Sequence, residues 1–455
     1  MLSQSRAGIS PTKHAAARAL TGQQQRVSPA PRSVTFPGHS LLALVPVIVF
    51  FYVLVVLPFM GGDGKTRIEN ILFWPALAGI VLALAAYNYS RLDKGFIFSL
   101  VVTSLVAYMA LAAASITWAY SPDFALTRYA VQLLIVIVAL VPYALPIDTS
   151  RTMQRLHVCA LIAVAINAFY VLTTPATPIG HTGYFIHKQE LGMLCGATII
   201  LSSHELLFRG WRRWLAVISF CLTFWVIFES QSKGSLAFFL VASTFSIGAL
   251  VASKLLRTSP AFIVGACVLA FGALSYVWSD PVGRIAWKLY GDATLTGRTD
   301  IWNFINYQVS HQSWFGWGFH SYWGVPNSPH EQAPGFVKDM ISSHSGYLEL
   351  KLDTGHIGYW IFLVFVYASL HNLETVRRKD PIRAWVLLAL SMYIILLNLI
   401  ESVWLQTIPL WVLFLIVVGA SLRFSRSENA RVASSRRPIP AKPQTGLLPR
   451  RTPYG

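Results

Sequence analysis

The 455-residue sequence is poor in charge, and poorest in negative charge. Only 12% of its residues are Asp, Glu, Lys or Arg, and 19 acidic residues stand against 36 basic ones. Soluble domains carry about 25% charged residues. The shortfall is uneven, leaving long stretches with no charge at all, and 55% of the chain is hydrophobic. A soluble enzyme is excluded, because one or two cores cannot hide so much apolar surface. A disordered chain is excluded because disorder requires low hydrophobicity. Cysteine is scarce as well: Cys159, Cys195, Cys221 and Cys267 all fall in apolar runs. They offer neither a disulfide framework nor a zinc site and are expected to be small buried hydrophobes. A zinc-protease HExxH is missing too, since His330-Glu331 is followed by Gln332-Ala333-Pro334. What remains is an all-α polytopic membrane protein with no metal site.

Apolar runs long enough to cross about 30 Å of hydrocarbon recur along the chain. They cover 41–59, 71–89, 96–117, 126–144, 156–173, 191–207, 214–229, 234–253, 260–279, 356–372, 384–400 and 404–422. About twelve transmembrane helices are therefore expected, with both termini on one side. Basic residues collect on the cytoplasmic side during insertion. With both termini cytoplasmic, that side holds 26 of the 36 Lys and Arg residues and the other holds 10. The formal charge of +17 is thereby explained by topology, with no nucleic-acid partner. Residues 1–39 and 424–455 are expected to be basic, disordered cytoplasmic tails. Residues 40–423 form the transmembrane domain, which includes one long, partly helical periplasmic loop at 281–346.

The ten basic residues on the outer side are not explained by insertion, and those near the membrane boundary need a partner or a task. The outer loop contains Trp287, Trp302, Trp314, Trp317 and Trp323 together with His311, His320, His330 and His344. Disorder is depleted in aromatics, so the loop is expected to fold. Its aromatic surface suits either stacking on sugar rings or anchoring at the lipid headgroups. Within it, Thr296-Gly297-Arg298-Thr299-Asp300-Ile301-Trp302 reads as a helix start capped by Thr299 or Asp300. Arg298 there is placed either for phosphate or for a salt bridge to Asp300 or Asp292.

A second helix start is expected at 342–349, ending near Gly355, with His344, Tyr347, Leu348 and Lys351 on one face. His344 is then either a structural histidine or a base that takes a proton from a sugar hydroxyl. Three further outer cations complete the set. Lys188 opens the 191–207 run, Lys233 lies between two runs with Glu229 four residues earlier, and Arg128 follows Trp118–Asp123 with Asp123 its nearest acid.

These stretches, taken in order, resemble the O-antigen ligase and Wzy-type polysaccharide polymerase family, most closely in the manner of bacterial exopolysaccharide polymerases. The matching segments are Trp118–Arg128, His187-Lys188 through Gly192, Ser230–Ser235, Gly297–Trp302, Gly316-Trp317-Gly318-Phe319 and His344 through Gly358. Lys233 stands where the family often has arginine, Gln189 and Ser345 where it commonly has asparagine, and Asp353 where it often has glutamate. The resemblance implies an inner-membrane glycosyltransferase that needs no metal, cofactor or nucleotide sugar. It would join polyprenyl-pyrophosphate-linked oligosaccharides at the periplasmic face. Arg298 would hold the pyrophosphate and His344 would be the base or its helper. Lys233, Lys188, Arg128, Trp302 and Tyr347 would bind substrate. The implied partners are the lipid-linked oligosaccharide, the bilayer and other polysaccharide assembly and chain-length proteins. A ligase acting on another acceptor, and a flippase of lipid-linked sugars, are the alternatives.

Overall fold

A computed structural model describes residues 38–59, 68–277, 288, 297–326 and 328–435. Among these residues the secondary structure is helical apart from one isolated bridge between Thr177 and Gly180. In chain order the main helices are α1 (His39–Phe59), α2 (Ile68–Tyr87), α3 (Leu100–Ser115), α4 (Pro122–Leu140), α5 (Thr152–Thr173), α6 (Lys188–Glu205) and α7 (Trp211–Ser230). They continue with α8 (Lys233–Leu255), α9 (Pro260–Val277), α10 (Arg298–His311), α11 (Gly346–Lys379), α12 (Pro381–Leu397) and α13 (Pro409–Ser435). Each of the twelve apolar runs overlaps one of these helices, and α10 is the addition from the long loop.

Eight of the helices, α1, α3, α4, α5, α7, α8, α11 and α13, are long and apolar enough to cross a membrane. Three shorter apolar helices lie in α2, α9 and α12. The outward faces are strongly hydrophobic: Leu269 is 77% exposed, Phe98 76%, Leu172 73% and Leu72 63%. Water would penalise an apolar surface of this extent, whereas lipid accepts it. Cys221 and Cys267 lie on this exposed surface, unlike Cys159 and Cys195, which are buried. The expectation that all four would be buried is thus corrected. An apolar run cannot by itself tell a core-facing position from a lipid-facing one.

Helix α6 is different. Residues Leu191–Ser202 are buried without interruption, so its surroundings are protein rather than lipid. Its small residues allow close packing, and the Tyr393 hydroxyl of α12 donates to the Met193 carbonyl at 3.3 Å. A helix enclosed on all sides can carry Thr198, Ser202 and His204 because neighbours satisfy their polar groups.

The long loop shapes the end of the bundle where α6, α8, α10 and α11 begin. Helix α11 is interrupted at Gly355, whose φ of 65° and ψ of −166° only glycine adopts readily. The loop segment 313–318 fills the break. Trp317 and Gly318 N–H groups donate to the Leu352 and Asp353 carbonyls at 2.7 and 3.0 Å, while His356 and Ile357 N–H groups donate to Ser313 and Trp314 at 2.8 and 3.3 Å. A broken helix leaves unsatisfied backbone groups that lipid cannot solvate, and the loop supplies their partners. The segment around α10 has its own core, where Ile301, Ile305, Val309, Tyr322, Trp323 and Val337 pack on Leu352. The described part of the long loop therefore folds, as its aromatic content predicts. Trp287 lies outside the described residues, as do Asp292 and residues 1–37 and 436–455. Helix α13 continues to Ser435, past the tail boundary expected at 424.

Candidate active site

Three of the four cations that stood out in the sequence share one structural position. Lys188 is the first residue of α6, Lys233 of α8 and Arg298 of α10. Helix N-termini carry a partial positive charge and unpaired N–H groups, so a cation there is electrostatically misplaced and an anion is favoured. Three such placements at one end of the bundle concentrate positive potential where nothing in helix stability calls for it.

Arg298 begins α10 directly after Gly297, whose left-handed backbone (φ 81°) occupies the cap position. The cap is therefore Gly297 and not Thr299 or Asp300. The Arg298 guanidinium reaches across the fold, and its Nη2 donates to Glu401 Oε1 at 2.6 Å. This acid lies 103 residues away, whereas Asp292 falls outside the described residues. The other oxygen of the same carboxylate, Glu401 Oε2, lies 3.3 Å from His344 Nδ1. Arg298 and His344 are thus joined through one glutamate. The Arg298 and Glu401 side chains are 14% and 12% exposed, and that of His344 is 33% exposed.

His344 does not share a helix face with Tyr347, Leu348 and Lys351, as the spacing predicts. Helix α11 begins two residues later, at Gly346, and His344 sits in the preceding turn with φ of 50°. A non-glycine residue in the left-handed region is sterically strained. Packing fixes this turn. The Gly346 N–H lies 3.0 Å from both the Asn398 and Glu401 carbonyls. A Cβ added to Gly346 would lie 1.9 Å from Asn398 Oδ1, so only glycine permits the approach. Asn398 Oδ1 in turn accepts the Val403 and Trp404 N–H groups at 3.1 and 2.9 Å, which shapes the loop that carries Glu401.

Glu349, on the first turn of α11, links the two sides. It is buried and accepts the Ser343 N–H at 2.5 Å, the Trp323 indole N–H at 3.0 Å and the Ser402 hydroxyl at 3.2 Å. Ser343 adjoins His344 and Ser402 adjoins Glu401, so one carboxylate ties together the segments carrying both.

Lys188 and Lys233 approach the same corner from the other side. Their ammonium groups are close enough to repel, and burial together with Lys233 lowers the pKa of Lys188. Lys188 Nζ donates to the Ile179 carbonyl at 2.6 Å. A Cβ added to Gly234 would lie 3.0 Å from Ile400 Cδ1, so the Lys233 turn abuts the Glu401 loop. Glu190 is also near enough to Glu401 for their carboxylates to interact.

Arg128, Trp302 and Tyr347 are engaged with backbone. Arg128 Nη1 donates to the His320 and Trp323 carbonyls at 2.5 and 2.9 Å, holding the loop down, rather than to Asp123. The Trp302 indole N–H donates to Ser343 at 3.1 Å and the Tyr347 hydroxyl to Ile395 at 3.0 Å. His320 (φ 49°) lies near this anchor, where burial lowers its pKa to about 4. Among the described residues no group of three or more His, Cys, Asp or Glu is arranged to hold a metal ion.

Sequence reading missed Glu401 and Glu349. Glu401 is the single acid between Asp380 and Glu428 and sits in a short connection between two apolar runs. A charge at such a boundary needs a partner, and that was its available signal. Glu349 resembles any acid in a first helical turn.

Comparison with known proteins gives one match and one negative result. Residues 218–363 match the family described as O-antigen ligase, and no curated protein matches the chain. The matched stretch contains Lys233, Arg298, His344 and Glu349. Across residues 218–363 the chain is therefore similar to the O-antigen ligase family.

Proposed function

We propose that the protein is an inner-membrane polymerase of twelve crossings with both termini cytoplasmic. It joins polyprenyl-pyrophosphate-linked oligosaccharide repeats into exopolysaccharide at the periplasmic face. The observation that carries this reading is the Glu401 carboxylate held between Arg298 and His344, beside two further helix-start cations.

The chemistry follows from the groups present. A hydroxyl of the acceptor glycan attacks the anomeric carbon of the donor. The bond from that carbon to the pyrophosphate oxygen breaks, and polyprenyl pyrophosphate leaves with the electron pair. The leaving group concentrates negative charge, which Arg298, Lys188, Lys233 and their helix N-termini stabilise. Glu401 faces His344 Nδ1 and so favours the tautomer with the proton on that nitrogen. Nε2 then has a lone pair to take the proton of the attacking hydroxyl, as in other base–carboxylate pairs. Glu401 also keeps the Arg298 guanidinium aimed at the corner until a pyrophosphate competes for it.

Reconstitution with a polyprenyl-pyrophosphate oligosaccharide, followed by gel analysis of product length, tests the reading. Long polymer is expected from the native chain. Arg298→Ala and His344→Asn variants should leave the lipid-linked repeat unconsumed, and full-length polymer from both would overturn the assignment. The family description favours one second reading, transfer of a finished glycan to a separate acceptor. Glycan bound to an added acceptor, in place of free high-mass polymer, would select it.

A further inference from the structure

Helix α10 has two faces of different character. Ile301, Ile305 and Val309 are buried in the loop's core. On the other side Asp300, Asn303, Phe304 and Tyr307 follow the i, i+3, i+4, i+7 spacing of a single helix stripe. This stripe forms one wall of a cavity of about 450 Å³, and the turn Pro334–Val337 forms the other. The cavity is open to the surface, in the manner of a groove. Tyr307 is 62% exposed and Phe336 45%. Large aromatic rings left in contact with solvent around a concave surface mark a binding site more often than a core. The cavity adjoins the cation corner: a Cβ on Gly297, the residue before Arg298, would lie 3.0 Å from Phe336 Cζ.

We propose that this cavity is a saccharide subsite that seats a sugar ring of the substrate glycan one helix turn from the pyrophosphate. A pyranose presents an apolar C–H face and a rim of hydroxyls. The Tyr307 and Phe336 rings match the face. The Asp300 carboxylate and the Asn303 amide, which together accept and donate, match the rim. A lipid tail would have no use for the two polar groups, and an anion would be repelled by Asp300. The ring of Tyr307 is held edge-to-face by His311, with centroids 4.5 Å apart, so the stacking surface is pre-oriented. The proposal rests on the transfer reading only for the identity of the glycan; occupation by a sugar ring is a separate physical claim.

The test uses the full-length protein in nanodiscs and the free oligosaccharide released by mild acid from the host's lipid-linked pool. This probe lacks pyrophosphate and so does not report on the cations. Saturation-transfer NMR and calorimetry should show binding to the native chain and to Arg298→Ala alike. Truncating either ring, Tyr307→Ala or Phe336→Ala, should weaken binding by about tenfold, the upper range for one aromatic contact. Tyr307→Phe should bind as the native chain does. Undiminished binding by the Tyr307→Ala, Phe336→Ala double variant would overturn the subsite, as would no binding to the native chain or loss of binding in Arg298→Ala. In the transfer assay, a raised KM for the donor or for the acceptor supports the subsite and identifies which glycan occupies it; both unchanged would overturn it. If Arg298→Ala and His344→Asn still transfer glycan, the transfer reading fails, while the binding measurement still decides the subsite.

Discussion

The two ends of the helix bundle handle charge in opposite ways. At the end where α11 finishes and α12 begins, most ion pairs are local and conventional. Arg377 and Arg378 meet Glu374 three and four residues away, Arg383 meets Asp380, and Arg212 meets Glu205. Arg377, Arg378 and Lys379 lie in the last turn of α11, where the helix dipole favours them. Arg423, paired with Asp93, is the distant exception. At the other end, Lys188, Lys233 and Arg298 begin helices, where the dipole opposes them. There the polar contacts span the chain: Arg298 to Glu401, His344 to Glu401, Arg128 to His320. Backbone strain follows the same division. Of the non-glycine residues with positive φ among the described residues, Gln231, His320, His344 and Leu405 belong to the cationic end, and only Arg257 to the other. Strain of this kind costs about 1–3 kcal/mol per residue and persists where surrounding structure enforces it, which is typical of functional sites. One end pairs its charges locally, and the other gathers cations at helix starts and joins segments far apart in the chain.

This contrast can be broken by substitution. The largest effect is expected for Arg298→Ala and His344→Asn, each lowering the transfer rate by about 10²–10⁴-fold. Asparagine tolerates the left-handed backbone of His344, so a loss in that variant reports on chemistry rather than on the turn. Glu349→Ala comes next. It strands the buried Ser343 and Trp323 N–H donors, each at a cost of about 1–3 kcal/mol, and thermal unfolding in detergent should show the loss. Glu401→Gln preserves shape but removes the charge shared by Arg298 and His344. A fall in kcat of about tenfold or more with little change in Tm is expected, as for other groups that orient a functional side chain; an equal loss of Tm would make Glu401 merely structural.

A smaller effect concerns pH. His320 has a folded pKa of about 4, below the ordinary histidine value of about 6.5. Between these values the unfolded chain binds more protons, so this contribution to stability is complete above about pH 6.5 and declines as pH falls toward 4. The Tm of the native chain should drop more steeply from pH 7 to 5 than that of His320→Asn, and equal slopes would remove His320 from the account. The smallest effect belongs to the opposite end: Arg378→Ala breaks an exposed i, i+4 pair and should change stability by about 0.5 kcal/mol or less, with transfer unaffected. A large loss of transfer there would end the distinction between the two ends.

Much of this molecule was legible before its fold was known, and the reason is physical. Membrane residence imposes long apolar runs, and helices are the means of hiding backbone polarity within them. The class of the protein, the positions of its helices and the cations left unexplained by topology all follow from local composition. Even the interruption near Gly355 was visible. Other features were settled only by tertiary packing. The hydropathy of α6 does not reveal that it is enclosed by protein, and the four cysteines read alike although two face outward. Above all, the carboxylate joining Arg298 and His344 lies far along the chain from one and well beyond the other. Local spacing constrains partners within a helix turn or two. The meeting of Arg298, His344 and Glu401 depends on where α10, α11 and the α12–α13 connection come to rest against one another, and no stretch of sequence encodes that separately.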